Sequence, residues 1–97
     1  MKFTRILRFK KAKINEKYYG YSSSTYDVIS DGAIVRKITE LCEKYNAEIV
    51  RINLTDTTSY FNDKECFIKI KAHRKDFINI VNDFTLHFIK YIQDVKY

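Results

Sequence analysis

Between Ala33 and Tyr45 the apolar residues Ile34, Ile38, Leu41, Cys42 and Tyr45 recur at intervals of about one helical turn, with Val35 at the edge of the stripe. Arg36, Lys37, Glu40, Glu43 and Lys44 lie off it. Residues three and four apart share a helix face, so this pattern predicts an amphipathic helix that Asn46 stops. Two segments with a period of two follow. In 47–54, Val50, Ile52 and Leu54 share one face, while Ile49, Arg51 and Asn53 share the other. In 66–73, Cys66, Ile68, Ile70 and Ala72 alternate with Phe67, Lys69, Lys71 and His73. Both predict strands. Matching their apolar faces in a hairpin sets Arg51 near Lys69 and Ile49 near Lys71. The connection, TDTTSYFNDKE, is about 11 residues long and carries Tyr60, Phe61 and Lys64. That is too long for a tight turn, and loops of this length are often functional.

From Lys75 to Val95 the residues Phe77, Ile80, Val81, Phe84, Phe88, Tyr91, Ile92 and Val95 form a stripe, widened by Ile78 and Ile89, with Leu86 on the far side. The expected element is one long C-terminal helix. So wide a stripe holds more apolar surface than one layer easily covers, so a homodimer interface is expected at Phe84, Phe88, Tyr91, Ile92 and Val95. At the other end, Phe3, Ile6, Leu7, Phe9 and Ile14 are mixed with bases and read as a strand, although a helix can be drawn through the same residues. Residues 18–30 have two readings. Ser24 and Asp27 have the spacing of a capping box, which starts a short helix ending near Ser30; the alternative is a long loop. Asp31-Gly32 then makes a turn, with Asp31 placed to cap the next helix.

The order is therefore α+β, in a single domain over 1–97. With the short helix, β-(α)-α-β-β-α is the order of a winged helix-turn-helix; without it, the chain is a βαββα layer, half of a ferredoxin-like fold.

Composition adds the chemistry. The chain has 97 residues, 18 Lys+Arg against 12 Asp+Glu, and 45% apolar residues including 15 Phe and Tyr. That is enough for one small core. No stretch is apolar enough to span a membrane, and charges stand where a signal peptide would be apolar, so a cytoplasmic protein is expected. Cys42 and Cys66 form no CxxC, and His73 and His87 have no nearby paired ligand, so neither a disulfide framework, a metal nor a cofactor is expected. Walker, GxSxG, HExxH and Cys–His signatures are absent, so no catalytic residue and no enzymatic activity are expected.

The net charge of +6 is local: residues 1–17 hold Lys2, Arg5, Arg8, Lys10, Lys11, Lys13 and Lys17 against Glu16 alone. The other 80 residues hold 11 bases and 11 acids. A low-GC genome also raises Lys, but it would do so along the whole chain. A block of one sign is the footprint expected for a polyanion. The expected nucleic-acid contacts are Arg5, Arg8, Lys10, Lys11, Lys13 and Lys17, the hairpin bases Arg51, Lys64, Lys69 and Lys71, and Arg36 and Lys37 on the helix. His73, Arg74 and Lys75 continue the hairpin's outer face. The helix itself is a weak reader, because Glu40 and Glu43 oppose its bases. Phe67 and the tyrosines Tyr18, Tyr19 and Tyr21 offer a stacking platform for single strands, although aromatics at this frequency more often belong to the core.

The passage Cys66–Ile80, CFIKIKAHRKDFINI, resembles the strand-to-helix passage of small proteins carried on mobile elements of low-GC Gram-positive bacteria. The whole order resembles the small winged-helix accessory proteins of clostridial conjugative plasmids. That resemblance implies a dimer binding double-stranded DNA at a plasmid origin of transfer, as part of the relaxosome that assists a relaxase in conjugation. The acid-laden helix departs from a typical recognition helix. Phage or plasmid anti-defence inhibitors, which act by blocking a partner's surface, are similar to the same passage and supply the alternative of a protein-interaction module.

Overall fold

In the computed structural model the N-terminal segment is strand β1 (Phe3–Lys11), and its alternation decides this: Leu7, Phe9 and Lys11 are buried, while Thr4 and Arg8 face outward. Side chains are described for residues 1–12, 29–54 and 65–97, and the backbone alone for 14–17 and 24–27. Strands β2 (Ile14–Lys17) and β3 (Ser24–Asp27) pair antiparallel in a sheet of their own, from Ile14 opposite Asp27 to Lys17 opposite Ser24. The short helix expected from Ser24 is therefore not formed at 24–27. Thr25 and Tyr26 favour extended backbone, and β2 satisfies their hydrogen bonds. Without that helix, 24–45 is not a helix-turn-helix.

Helix α1 (Asp31–Lys44) follows, burying Ile34, Ile38, Leu41 and Cys42 as the stripe predicts. Its cap is Ser30 rather than Asp31: the Ala33 amide donates to Ser30 Oγ at 3.2 Å. Asp31 lies within the first turn and accepts from the Lys11 ammonium at 2.5 Å. Lys11 is buried, with 8% of its surface exposed, and a charge held there requires such partners. At the other end Asn46, with φ of 52°, takes the left-handed conformation that ends a helix.

Strand β4 (Glu48–Asn53) pairs antiparallel with β5 (Cys66–Ala72), which pairs antiparallel with β1. Helix α2 (Arg74–His87) leads to β6 (Ile92–Lys96), antiparallel to the other side of β1. The sheet order is β4-β5-β1-β6. Each helix links two strands that have a third lying between them, which is the split βαβ arrangement of a ferredoxin-like fold. The βαββα alternative thus gains a further strand, β6, and the winged order is not what the sheet shows.

The long C-terminal helix is thus shorter than expected. It ends at His87, a turn carries the Tyr91 amide to the Phe88 carbonyl at 2.8 Å, and Ile92–Lys96 is a strand. The reason is a register shift: between Arg8 and Lys10, β6 runs from Lys96 to Gln93 with one residue more than β1, at Asp94 with φ of 54°. The bulge turns Ile92 and Val95 toward the same core, and this three-residue spacing mimics a helix. Phe84, Phe88 and Ile92 are buried by the chain's own sheet and helices, and Val95 packs against them; of the five residues assigned to a dimer interface only Tyr91 is exposed. No described helix is long and apolar enough to cross a membrane.

Two groups at the α1 terminus make the fold sensitive to alkali. Burial pushes the Cys42 thiol up to about 11. The Tyr45 hydroxyl donates to Asp83 Oδ2 at 2.6 Å, and this bond raises its pKa above the usual tyrosine value. Both folded-state values lie above the unfolded ones, so each contribution is complete below the unfolded value and is lost at higher pH; for Cys42 that window runs from about 9 to about 11. The melting temperature is expected to hold from pH 7 to 8.5 and fall from there to pH 11, less steeply in Cys42→Ala. A flat profile to pH 11 would contradict the burial.

Candidate nucleic-acid interface

The two helices cover one face of the main sheet, where Leu7, Phe9, Cys66, Ile68, Ile70 and Ala72 meet Ile34, Ile38, Ile80 and Phe84. Among the described residues, no element covers the other face. Strand alternation sets what it displays: Lys71, Lys69 and Phe67 from β5, and Thr4, Ile6, Arg8 and Lys10 from β1.

Register aligns these residues in rows. Lys71 lies between Glu48 and Thr4, Lys69 between Arg51 and Ile6, and Phe67 between Asn53 and Arg8. Lys96 of β6 continues the Phe67 row beyond Arg8, and Gln93 lies opposite Lys10. Arg51 and Lys69 are neighbours as the hairpin pattern predicts, but Ile49 lies opposite Ile70 rather than beside Lys71. The cause is again an extra residue, here Val50 between Ile49 and Arg51. The bulge returns Ile49 and Ile52 to the core side and leaves Val50 outside, 53% exposed, where simple alternation puts it with Ile52.

Phe67 is the middle of the display. The Arg51 guanidinium carbon and the Lys69 ammonium each lie 5.9 Å from its ring centroid, a cation–π distance. Charge is uneven across the face. Toward β6, Glu65 takes Arg8 at 3.6 Å and Lys96 at 3.4 Å, and Asp94 takes Lys10 at 3.8 Å. Toward β4, Glu48 lies directly opposite Lys71 without closing to an ion pair, and no described acid pairs with Arg51 or Lys69. Exposed ion pairs add little stability, but acids offset the local field, and Glu48 does so beside Lys71, so the positive potential is least offset around Arg51 and Lys69.

The N-terminal bases do not act as one block. Arg8 and Lys10 reach the open face, already paired. Lys11 is buried against Asp31, Arg5 donates to the Ala72 carbonyl at 3.4 Å, and Lys2 donates to the Asn46 carbonyl at 2.7 Å. Arg36 and Lys37 lie on α1, in the other layer, and Lys37 pairs with Glu40 at 3.4 Å. His73 caps α2, with Nδ1 3.1 Å from the Met1 amine, and Arg74 and Lys75 begin that helix. Lys13, Lys64, Tyr18, Tyr19, Tyr21, Tyr60 and Phe61, and the side chain of Lys17, lie outside the described residues.

Asn53 and Ile6, beside Phe67, and Lys96 are additions that the sequence reading omitted. Alternation in β1 and β4 marks the first two, whereas Lys96 was concealed by the helical spacing of its segment. No described group of three or more His, Cys, Asp and Glu comes together as a metal site. The chain matches no family model, no curated protein and no solved structure.

Proposed function

We propose that the protein binds nucleic acid, without chemistry of its own, through the open face of its four-stranded sheet. The observation that carries this reading is the group of Arg51, Lys69 and Lys71 on adjacent strands beside Phe67, with no described acid paired to them. Lys and Arg neutralise phosphates and release counterions, so binding falls steeply with salt. A role on duplex DNA at an origin of transfer, beside a relaxase, then calls for the sheet to meet the duplex, because a helix-turn-helix is not available at 24–45.

The test is a mobility shift with duplex DNA, single-stranded DNA and RNA across a salt series. Binding at low salt that weakens steeply toward 0.3 M, a level chosen on the order of the range where such contacts are screened, is the expected result. Failure of every probe to shift would overturn it and favour a module that blocks a protein partner.

A further inference from the structure

Resting on that reading, we infer that the occupant of the sheet face is single-stranded nucleic acid, with one base laid on Phe67 and its edge read by Asn53. Three features of the face carry this, and the first is width. Three strand-to-strand intervals of about 4.8 Å make the sheet about 14 Å across its backbones alone. The major groove of duplex DNA is about 12 Å wide and admits a helix or a two-stranded ribbon. Lys69 and Lys71 on the inner strand β5 can meet the phosphates of either form, but the Phe67 ring beside them meets a base face only where that base is unpaired. A flexible single strand can lie across the surface.

The second feature is the aromatic. Phe67 belongs to the face away from the core, is only half-buried, and lies next to Ile6 in the adjoining row. The ring lies outside the core that the described residues form on the other side of the sheet. Every base has a π face, which gains by stacking on such a ring when it is not already stacked in a duplex.

The third is the arrangement around the ring. Asn53 is directly opposite Phe67, and its amide has both donors and an acceptor for an unpaired base edge. Lys69 and Lys71 are two residues apart, about 6.6 Å along the strand, and Arg51 is beside Lys69. The base and its neighbouring phosphates thus meet different residues: the ring and amide at one end, the cations along β5 and β4.

The experiment compares wild-type protein with Phe67→Leu and Asn53→Ala, titrated by fluorescence anisotropy against a labelled single-stranded oligodeoxynucleotide, the oligoribonucleotide of the same sequence, and the DNA duplex. Wild type is expected to bind at least one single strand more tightly than the duplex. Phe67→Leu is expected to weaken that binding by about 5- to 100-fold, with an unchanged salt slope and little change in duplex binding. Asn53→Ala, which removes no apolar packing, is expected to act in the same direction. The two single-stranded probes show whether ribose or deoxyribose is preferred. Duplex binding equal to or tighter than both single strands, or full single-strand affinity in both variants, overturns the inference while leaving nucleic-acid binding intact. No binding to any probe instead removes the function on which it rests.

Discussion

Replacing Phe84 with alanine is expected to destabilise the protein by about 3–5 kcal/mol, the usual cost of deleting a buried phenyl ring. Phe84 is fully buried, its ring 5.4 Å from Phe9 and 5.1 Å from Phe88, so it joins the central strand β1 to the end of α2. A small domain has about 5–15 kcal/mol in total, and each kcal/mol shifts melting by about 4–8 °C at this size. The melting temperature is therefore expected to drop by at least about 12 °C, by the same amount at every protein concentration. Thermal denaturation over a hundredfold concentration range checks this. A wild-type melting point that rises with concentration and a small loss in Phe84→Ala would return Phe84 to a subunit interface.

Four of the five residues expected at that interface lie in or against the chain's own core, and for Ile92 and Val95 the misplacement has a physical cause that recurs. Strand alternation identifies a face only while the register is unbroken. At Asp94 and at Val50 one extra residue shifts the phase, so Ile92 and Val95, like Ile49 and Ile52, are three apart and share a side. Three apart is also a helical interval. The bulge in β6 therefore extended an apparent helix over a strand, and concealed the element that completes the sheet. Where no bulge intervenes, in α1 and β5, the apolar pattern matches the buried face, whereas in β1 Leu7 and Phe9 follow it but Phe3 is exposed and the base Lys11 is buried. The β2–β3 hairpin was missed for another reason: a Ser–Asp spacing suits a cap, but pairing with a distant segment decides the backbone.

The candidate site was legible in part. Arg51 beside Lys69 follows from the hairpin pattern, and Phe67 from its place on the outer face. The local charge of +6 in residues 1–17 was less informative than it looked. Sequence arithmetic does not see acids brought in from other elements, and Asp31, Glu65 and Asp94 meet Lys11, Arg8 and Lys10 across the fold. Lys2 and Arg5 are held by backbone carbonyls instead, and Arg51, Lys69 and Lys71, which form no ion pair among the described residues, belong to the segment whose charges sum to zero.

Neutralising those cations is the second large effect. The variant Arg51→Gln, Lys69→Gln, Lys71→Gln is expected to bind a single strand about 100-fold more weakly at 0.1 M salt, and to flatten the log–log salt slope by about 2. Each lost phosphate contact removes about 0.7 from the slope, and hence about 0.7 log units of affinity at 0.1 M relative to 1 M. All three side chains lie outside the core, so melting is expected to stay within a few degrees of wild type. The matching control is Arg36→Gln with Lys37→Gln on the opposite layer, for which affinity within about twofold of wild type is expected. Equal losses in the two variants would mean that general charge, rather than this face, attracts the nucleic acid.

The most direct measurement is an amide chemical-shift titration of the isotope-labelled protein with a short single-stranded oligonucleotide. Binding at the open face predicts the largest shifts at Ile6, Asn53, Phe67, Lys69 and Lys71, with Arg36 to Glu43 of α1 unmoved. Shifts confined to the helical layer, or none at saturating oligonucleotide, would contradict the account.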